Sequence, residues 1–119
     1  MKKLFYLVIA LLSLSACTGA PLSLEGTKWS TQFKGEEIGL YFYSSDEVWL
    51  SDGIKQEALP LFYQGDERLR GSVDVFTYEY KAPKVTFYSD DEYFGEGVIK
   101  GNKMTTKELL DNDAVFTKK

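Results

Sequence analysis

Leu14-Ser15-Ala16-Cys17 places a thiol directly after small residues at the end of a short apolar run, the arrangement of a bacterial lipobox. Small residues before Cys17 let a signal peptidase reach the backbone, and the thiol then takes a diacylglycerol. Lys2 and Lys3 supply the charged start of such a signal, and Leu4 to Leu12 supply its apolar stretch. That stretch is too short for a bilayer-spanning helix, which needs about 20 apolar residues. The expected organisation is a lipoprotein signal peptide over residues 1–16, a lipidated Cys17 with a tether over residues 17–24, and one domain over residues 25–119. Thr18 follows the cysteine where an aspartate would signal retention, and no acidic run comes after it. The expected address is the outer membrane, lipid-anchored and facing the periplasm. The membrane is a partner through acyl chains, of which one anchors marginally and two anchor stably.

Other chemistry has few carriers. The chain contains no histidine, which removes the commonest general base, the commonest metal ligand and any Ser-His or Cys-His nucleophile. Acidic groups cluster at Glu36-Glu37, Asp46-Glu47, Asp66-Glu67 and Asp90-Asp91-Glu92, nearly all at expected turns or strand ends, where they read as solvated turn residues. Ser89-Asp90-Asp91-Glu92 and Asp111-Asn112-Asp113 are rich in oxygen but lack the spacing of a calcium loop with its distal glutamate. Gly95-Glu96-Gly97 has the glycine spacing of a phosphate loop with no helix to follow, so it reads as a bulge or a close strand approach. The sequence therefore predicts no catalytic residues, no metal and no cofactor. The best candidates for binding are Tyr41, Tyr43 and Trp49, which one hairpin register places together on the outer face of a sheet. Rings presented in that way suit a small molecule, a glycan or a protein.

Composition sets the frame in which these residues must be held. Removing the signal leaves 103 of the 119 residues, with 12 basic against 18 acidic side chains and a net charge of −6. That balance argues against nucleic acid and against adhesion to anionic lipid headgroups, so acyl chains and not charge are expected to hold the protein to the membrane. One domain of this size buries roughly 60–70% of the surface its unfolded chain would expose. Cys17 is the single cysteine, so no disulfide forms within the chain and the fold rests on packing and hydrogen bonds.

From Glu25 onward, β-branched and aromatic runs are separated by turn-forming clusters recurring every ten residues or so, the spacing of an antiparallel all-β protein. No stretch carries a convincing helical period; Thr106 to Leu110 offers one turn at most. Gly101-Asn102 as a two-residue turn sets Ile99 opposite Met104. A loop at Lys81-Ala82-Pro83-Lys84 pairs Tyr80 with Val85 and Tyr78 with Phe87, which gathers the bulky groups on one face with Phe76. A turn at Asn112-Asp113 would pair Leu109 with Phe116, with Ala114 to Lys118 as the last strand. In the Ile38–Leu50 hairpin, a three-residue loop puts Ile38, Leu40, Phe42, Val48 and Leu50 on one face and Tyr41, Tyr43 and Trp49 on the other. A one-residue slip would leave apolar groups on both faces. Eight or nine strands joined by short turns favour a small antiparallel up-and-down β-barrel, whose interior is just wide enough to be packed or to hold one small ligand. With 15% aromatic residues to accommodate, packing is expected first and a cavity second.

Leu24-Glu25-Gly26-Thr27-Lys28-Trp29 resembles the opening of the small lipocalin-like, calycin-type barrel lipoproteins of Gram-negative bacteria. Tyr78-Glu79-Tyr80 with Pro83-Lys84-Val85-Thr86-Phe87, Gly97 to Met104 and the terminal Val115-Phe116-Thr117-Lys118-Lys119 carry the same likeness. The resemblance spans nearly all of the mature domain and implies a fold more than an activity. It implies Trp29 as a plug at one barrel end, with Lys118 or Lys119 over the indole where lipocalins stack an arginine. Some small barrel lipoproteins inhibit lysozyme, so a proteinaceous inhibitor of a secreted or periplasmic enzyme is the alternative to a non-enzymatic binding or structural role. This chain lacks the cysteine pair typical of those inhibitors.

Overall fold

A computed structural model describes residues 20–110 and 113–119. Eight antiparallel strands follow in chain order: β1 (Lys28–Phe33), β2 (Glu36–Phe42), β3 (Glu47–Leu50), β4 (Asp74–Lys81), β5 (Lys84–Ser89), β6 (Glu92–Lys100), β7 (Lys103–Lys107) and β8 (Ala114–Lys118). Each pairs with the next, and β8 returns to β1 through Trp29 opposite Lys118 and Ser30 opposite Thr117, so the sheet is a closed up-and-down barrel. Closure leaves no edge strand free to template aggregation.

Alternation dictates the interior. Trp29, Ile38, Leu40, Phe42, Val48, Leu50, Phe76, Tyr78, Val85, Phe87, Ile99, Met104 and Phe116 form one buried cluster, and between them neighbouring outer residues face away. Aromatic rings meet across the lumen, Phe42 lying 4.9 Å from Tyr78 and 6.3 Å from Phe87 between centroids. The lumen is packed with side chains. The expected pairs Ile99–Met104, Tyr80–Val85 and Tyr78–Phe87 are present, and Leu40 opposite Leu50 with Phe42 opposite Val48 agrees with the shared face expected of the 38–50 hairpin. The loop between β4 and β5 is one step tighter than expected, because Lys81 and Lys84 themselves pair around Ala82-Pro83.

Gly95 marks a close approach beside a bulge. Phe87 pairs with Gly95 and Tyr88 with Tyr93, so Phe94 is the extra residue of a bulge in β6. A Cβ on Gly95 would come within 2.8 Å of the Lys107 carbonyl oxygen and 2.9 Å of the Leu109 amide, so only glycine fits there. The chain leaving β7 crosses at this point. Phe116 consequently pairs with Met104 and Ala114 with Thr106, not Phe116 with Leu109 as expected. Strand β7 ends at Lys107, Glu108 takes a left-handed φ of 66°, and Leu109 and Leu110 fold over the barrel end into the core. No helical turn forms between Thr106 and Leu110.

The largest departure from expectation is the 51–73 connection between β3 and β4. No stretch with a helical period is expected there, but it forms a 3-10 turn (Gln56–Ala58), a short helix α1 (Leu59–Phe62) and a second 3-10 turn (Glu67–Leu69). Pro60 explains the choice: it lies in the first helical turn, where its missing N–H costs nothing, and would have cost a ladder bond in a central strand. The excursion packs on the outer wall of the barrel as a second apolar cluster of Trp49, Leu59, Phe62, Tyr63 and Val73, with Tyr41, Tyr43, Ile54 and Leu69 at its margin.

The segment before β1 also belongs to the domain further back than expected. Leu24, in the stretch read as tether, is buried in the main core, and Ala20 packs against it. The Tyr80 hydroxyl donates to the Pro21 carbonyl, holding this segment on the barrel rim.

Candidate functional site

Tyr41, Tyr43 and Trp49 come together as the sequence suggests. Tyr41 is opposite Trp49 in the β2–β3 ladder, and all three side chains lie on the outer face. Tyr43 stacks on Trp49 with ring centroids 4.9 Å apart and planes 11° from parallel. The expectation of an exposed aromatic patch is nevertheless corrected: Trp49 is fully buried, and Tyr41 and Tyr43 are half-buried. The reason is the excursion. Phe62 of α1 lies 6.4 Å from both Tyr41 and Trp49, and Leu59, Tyr63 and Val73 close the remaining sides. The surface that could have taken a ligand holds a segment of this same chain.

Charged groups fasten that segment. Arg70 donates to Glu67 at 2.8 Å and makes an ion pair with Glu47 at 3.0 Å. Its guanidinium lies 5.2 Å from the Tyr43 centroid and 5.4 Å from that of Trp49, so it caps the stack as a planar cation. The Trp49 indole N–H donates to Glu47 at 2.9 Å, and the Tyr43 hydroxyl donates to Glu67. Arg70 first, then Tyr43, hold the Glu67 carboxyl below its ordinary pKa. Asp66 caps the second 3-10 turn by accepting from the Arg68 amide at 3.0 Å, and the Arg68 side chain brings its pKa down to about 2. The acidic pairs Asp46-Glu47 and Asp66-Glu67 are thus largely structural fasteners, a more specific role than solvated turn chemistry.

A second fastening joins the excursion to β2 and the C-terminal strand. The Tyr63 hydroxyl donates to Glu37 at 2.7 Å, and the Lys119 ammonium donates to the same carboxylate at 3.1 Å while lying 4.4 Å from the Tyr63 ring centroid. The cation–ring contact expected at Trp29 is therefore made at Tyr63. Lys118 is the ladder partner of Trp29 but stays exposed, and the Trp29 indole N–H donates to the Thr27 hydroxyl at 3.0 Å. Trp29 itself is fully buried in the core cluster.

Arg70, Arg68 and Tyr63 escaped the sequence reading. The signal that could have found them is the interval from Leu50 to Asp74, too long for one hairpin turn, with Pro60 inside it and acidic and basic residues interleaved over Asp66 to Arg70. An open groove of about 460 Å³ runs along the outer side of the excursion, lined by Ile54, Ala58, Leu61 and Leu69 among others. Another of about 560 Å³ lies beside the N-terminal segment, between Leu22 and Leu24 and the Tyr78–Lys81 edge. Among the described residues no group of three or more acidic or cysteine side chains is placed to hold a metal ion. Asp90 and Asp91 occupy a tight turn with φ of 50° and 66°. Cys17 lies outside the described residues, as do Asp111 and Asn112.

The fold and this site define a small, packed up-and-down β-barrel with one wall covered by its own long connection. The chain matches no family model, no curated protein and no solved structure.

Proposed function

We propose that the protein is a lipid-tethered barrel of the outer membrane, facing the periplasm, with a non-enzymatic binding or structural role. The observation that carries this reading is the lipobox at Leu14 to Cys17 followed, three residues after Cys17, by a segment already fastened to the barrel rim. The cluster of large buried side chains inside the barrel supports recognition at the outer surface over a lipocalin-like carrier role in the lumen. No helix among the described residues is long and apolar enough to cross a membrane, so the acyl chains on Cys17 are the attachment this reading relies on. Replacing Cys17 by Ala should abolish incorporation of labelled palmitate and release the protein from the membrane fraction. Unchanged labelling would refute the tether.

A second reading, inhibition of a secreted or periplasmic enzyme such as lysozyme, draws on the 51–73 excursion. The Arg70–Glu47 ion pair ties it to the barrel wall, and an inhibitor presents a loop held in place in this way. Lysozyme turnover unchanged by saturating protein would remove that reading and leave the tether untouched.

A further inference from the structure

The net charge of the domain conceals a separation along the barrel axis. One end carries the N-terminal segment and the tips of the β4–β5 and β6–β7 hairpins. Lys81 and Lys84 flank the first tip as a ladder pair, Lys100 and Lys103 flank the second, and Lys118 ends β8 beside them. All five are exposed, and the two tips, Ala82-Pro83 and Gly101-Asn102, carry no carboxylate. Lys28 begins β1 on the same rim. Two nearby carboxylates lean toward this arc from further along the wall: Glu96, which Lys84 reaches at 3.4 Å, and Glu79. Glu25 precedes β1 and Asp46 precedes β3; Asp46 accepts from the Ser44 hydroxyl and lines a wall groove together with Glu79 and Asp91. The strand ends on the other side hold Glu36, Asp52, Asp74, Asp90, Asp91, Glu92, Glu108 and Asp113 against Lys34 and Lys55, while Lys107 lies partway along the wall opposite Glu96 in the ladder.

The N-terminal segment leaves the barrel next to the lysine arc. Pro21 is bonded to Tyr80, the neighbour of Lys81, and Leu22 is 85% exposed beside them. Cys17 precedes Ala20 by three residues, a reach of about 10 Å at full extension. We infer that the lysine arc is a docking surface for anionic phospholipid headgroups, so that the barrel stands end-on with its hairpin tips against the bilayer and its acidic end outward. A basic rim and an acidic far end form a dipole that an anionic surface turns into this one orientation. Each lysine brought to such a surface raises partitioning about fivefold. Leu22 enters the interface beside the arc.

The orientation rests on the tethered reading, whereas the attraction does not, and the experiment separates them. Barrel closure and both apolar clusters are complete within the described part of residues 20–119, so this domain without Cys17 is the first probe. It should float with vesicles containing phosphatidylglycerol at low salt and not with phosphatidylcholine alone. Replacing Lys81, Lys84, Lys100 and Lys103 by Glu should lower that flotation by at least about tenfold, given the gain per lysine, with an unchanged β-sheet circular dichroism spectrum. Equal flotation with both vesicle types, or none with either, overturns the docking surface.

The lipidated protein then tests orientation by water-soluble amine labelling. Lys81, Lys84, Lys100 and Lys103 should be protected relative to Lys34 and Lys55 on anionic vesicles, and the protection should fall in high salt. Equal labelling of the two sets overturns the end-on placement. Failure of palmitate labelling, by contrast, removes the tether and leaves the flotation result standing.

Discussion

The Tyr63 hydroxyl donates to Glu37 at 2.7 Å across 26 residues of sequence, and its ring rests where a side chain on Gly39 would be. A Cβ at Gly39 would lie 2.4 Å from that hydroxyl oxygen. The absent side chain on β2 thus makes the seat for the excursion, and the carboxylate two residues away fastens it. The Gly39 amide also donates to the Ser51 hydroxyl at 2.7 Å, so the excursion begins from a backbone contact at the same residue.

Gly39→Ala should therefore unseat Tyr63 with little effect on the barrel. Overpacking of this kind costs about 1–3 kcal/mol. Urea unfolding followed by circular dichroism should report that loss, and quenching of Trp49 should show added solvent access. A second substitution, Tyr63→Phe, removes the hydrogen bond but keeps the ring. It should cost less than Gly39→Ala, and an equal or larger cost would show that the bond, not the seat, dominates.

Trp49→Ala should be severely destabilising, by about 3–5 kcal/mol, the range for large buried aromatics. The register of β2 and β3 has no part in this, because Trp49 lies outside the lumen and its burial comes from α1 and Arg70. Removing the cover should expose the difference. In a variant with Arg70→Ala, Trp49 should become more accessible to acrylamide while the barrel spectrum is retained.

Acid should loosen the excursion before the barrel. The Tyr63 hydrogen bond, opposed by burial and then aided by Lys119, holds Glu37 below its ordinary pKa of 4.5. Glu67 is lowered chiefly by Arg70, and Asp66, paired with Arg68, lies at about 2. Groups with depressed folded pKa values bind protons more readily in the unfolded chain. Their stabilisation is present above about pH 4.5 and is lost as the pH falls through the folded values. Urea midpoints measured from pH 6 downward (a range chosen around the carboxylate pKa values) should decline in that window. Glu37→Gln should make the decline shallower, and an unaltered slope would exclude Glu37 as a contributor.

The barrel itself was written into local pattern. A period of two assigns Ile38, Leu40, Phe42, Val48 and Leu50 to one face, and turn residues at Gly101-Asn102 and Ala82-Pro83 set the pairing of Ile99 with Met104 and of Tyr78 with Phe87. Where the local signal is weak, as at Leu109, the observed pairing departs from the expected one. Nothing in Leu109 or Leu110 announces that the chain folds over the barrel end, because the cause is a backbone crossing at Gly95, distant in sequence.

Sequence alone thus determined which side of each well-patterned strand is greasy and how its hairpin aligns, since both follow from the geometry of neighbouring residues. Tertiary structure decided what lies against the outer side. Alternation places Trp49 away from the lumen but says nothing about a helix arriving from residues 59–62 to cover it. It also decided where charge gathers: lysines scattered from position 28 to 118 reach one rim only because each strand reversal returns the chain to the same end of the barrel. Contacts between residues far apart in sequence depend on closure of the whole sheet, and no short window of sequence carries them.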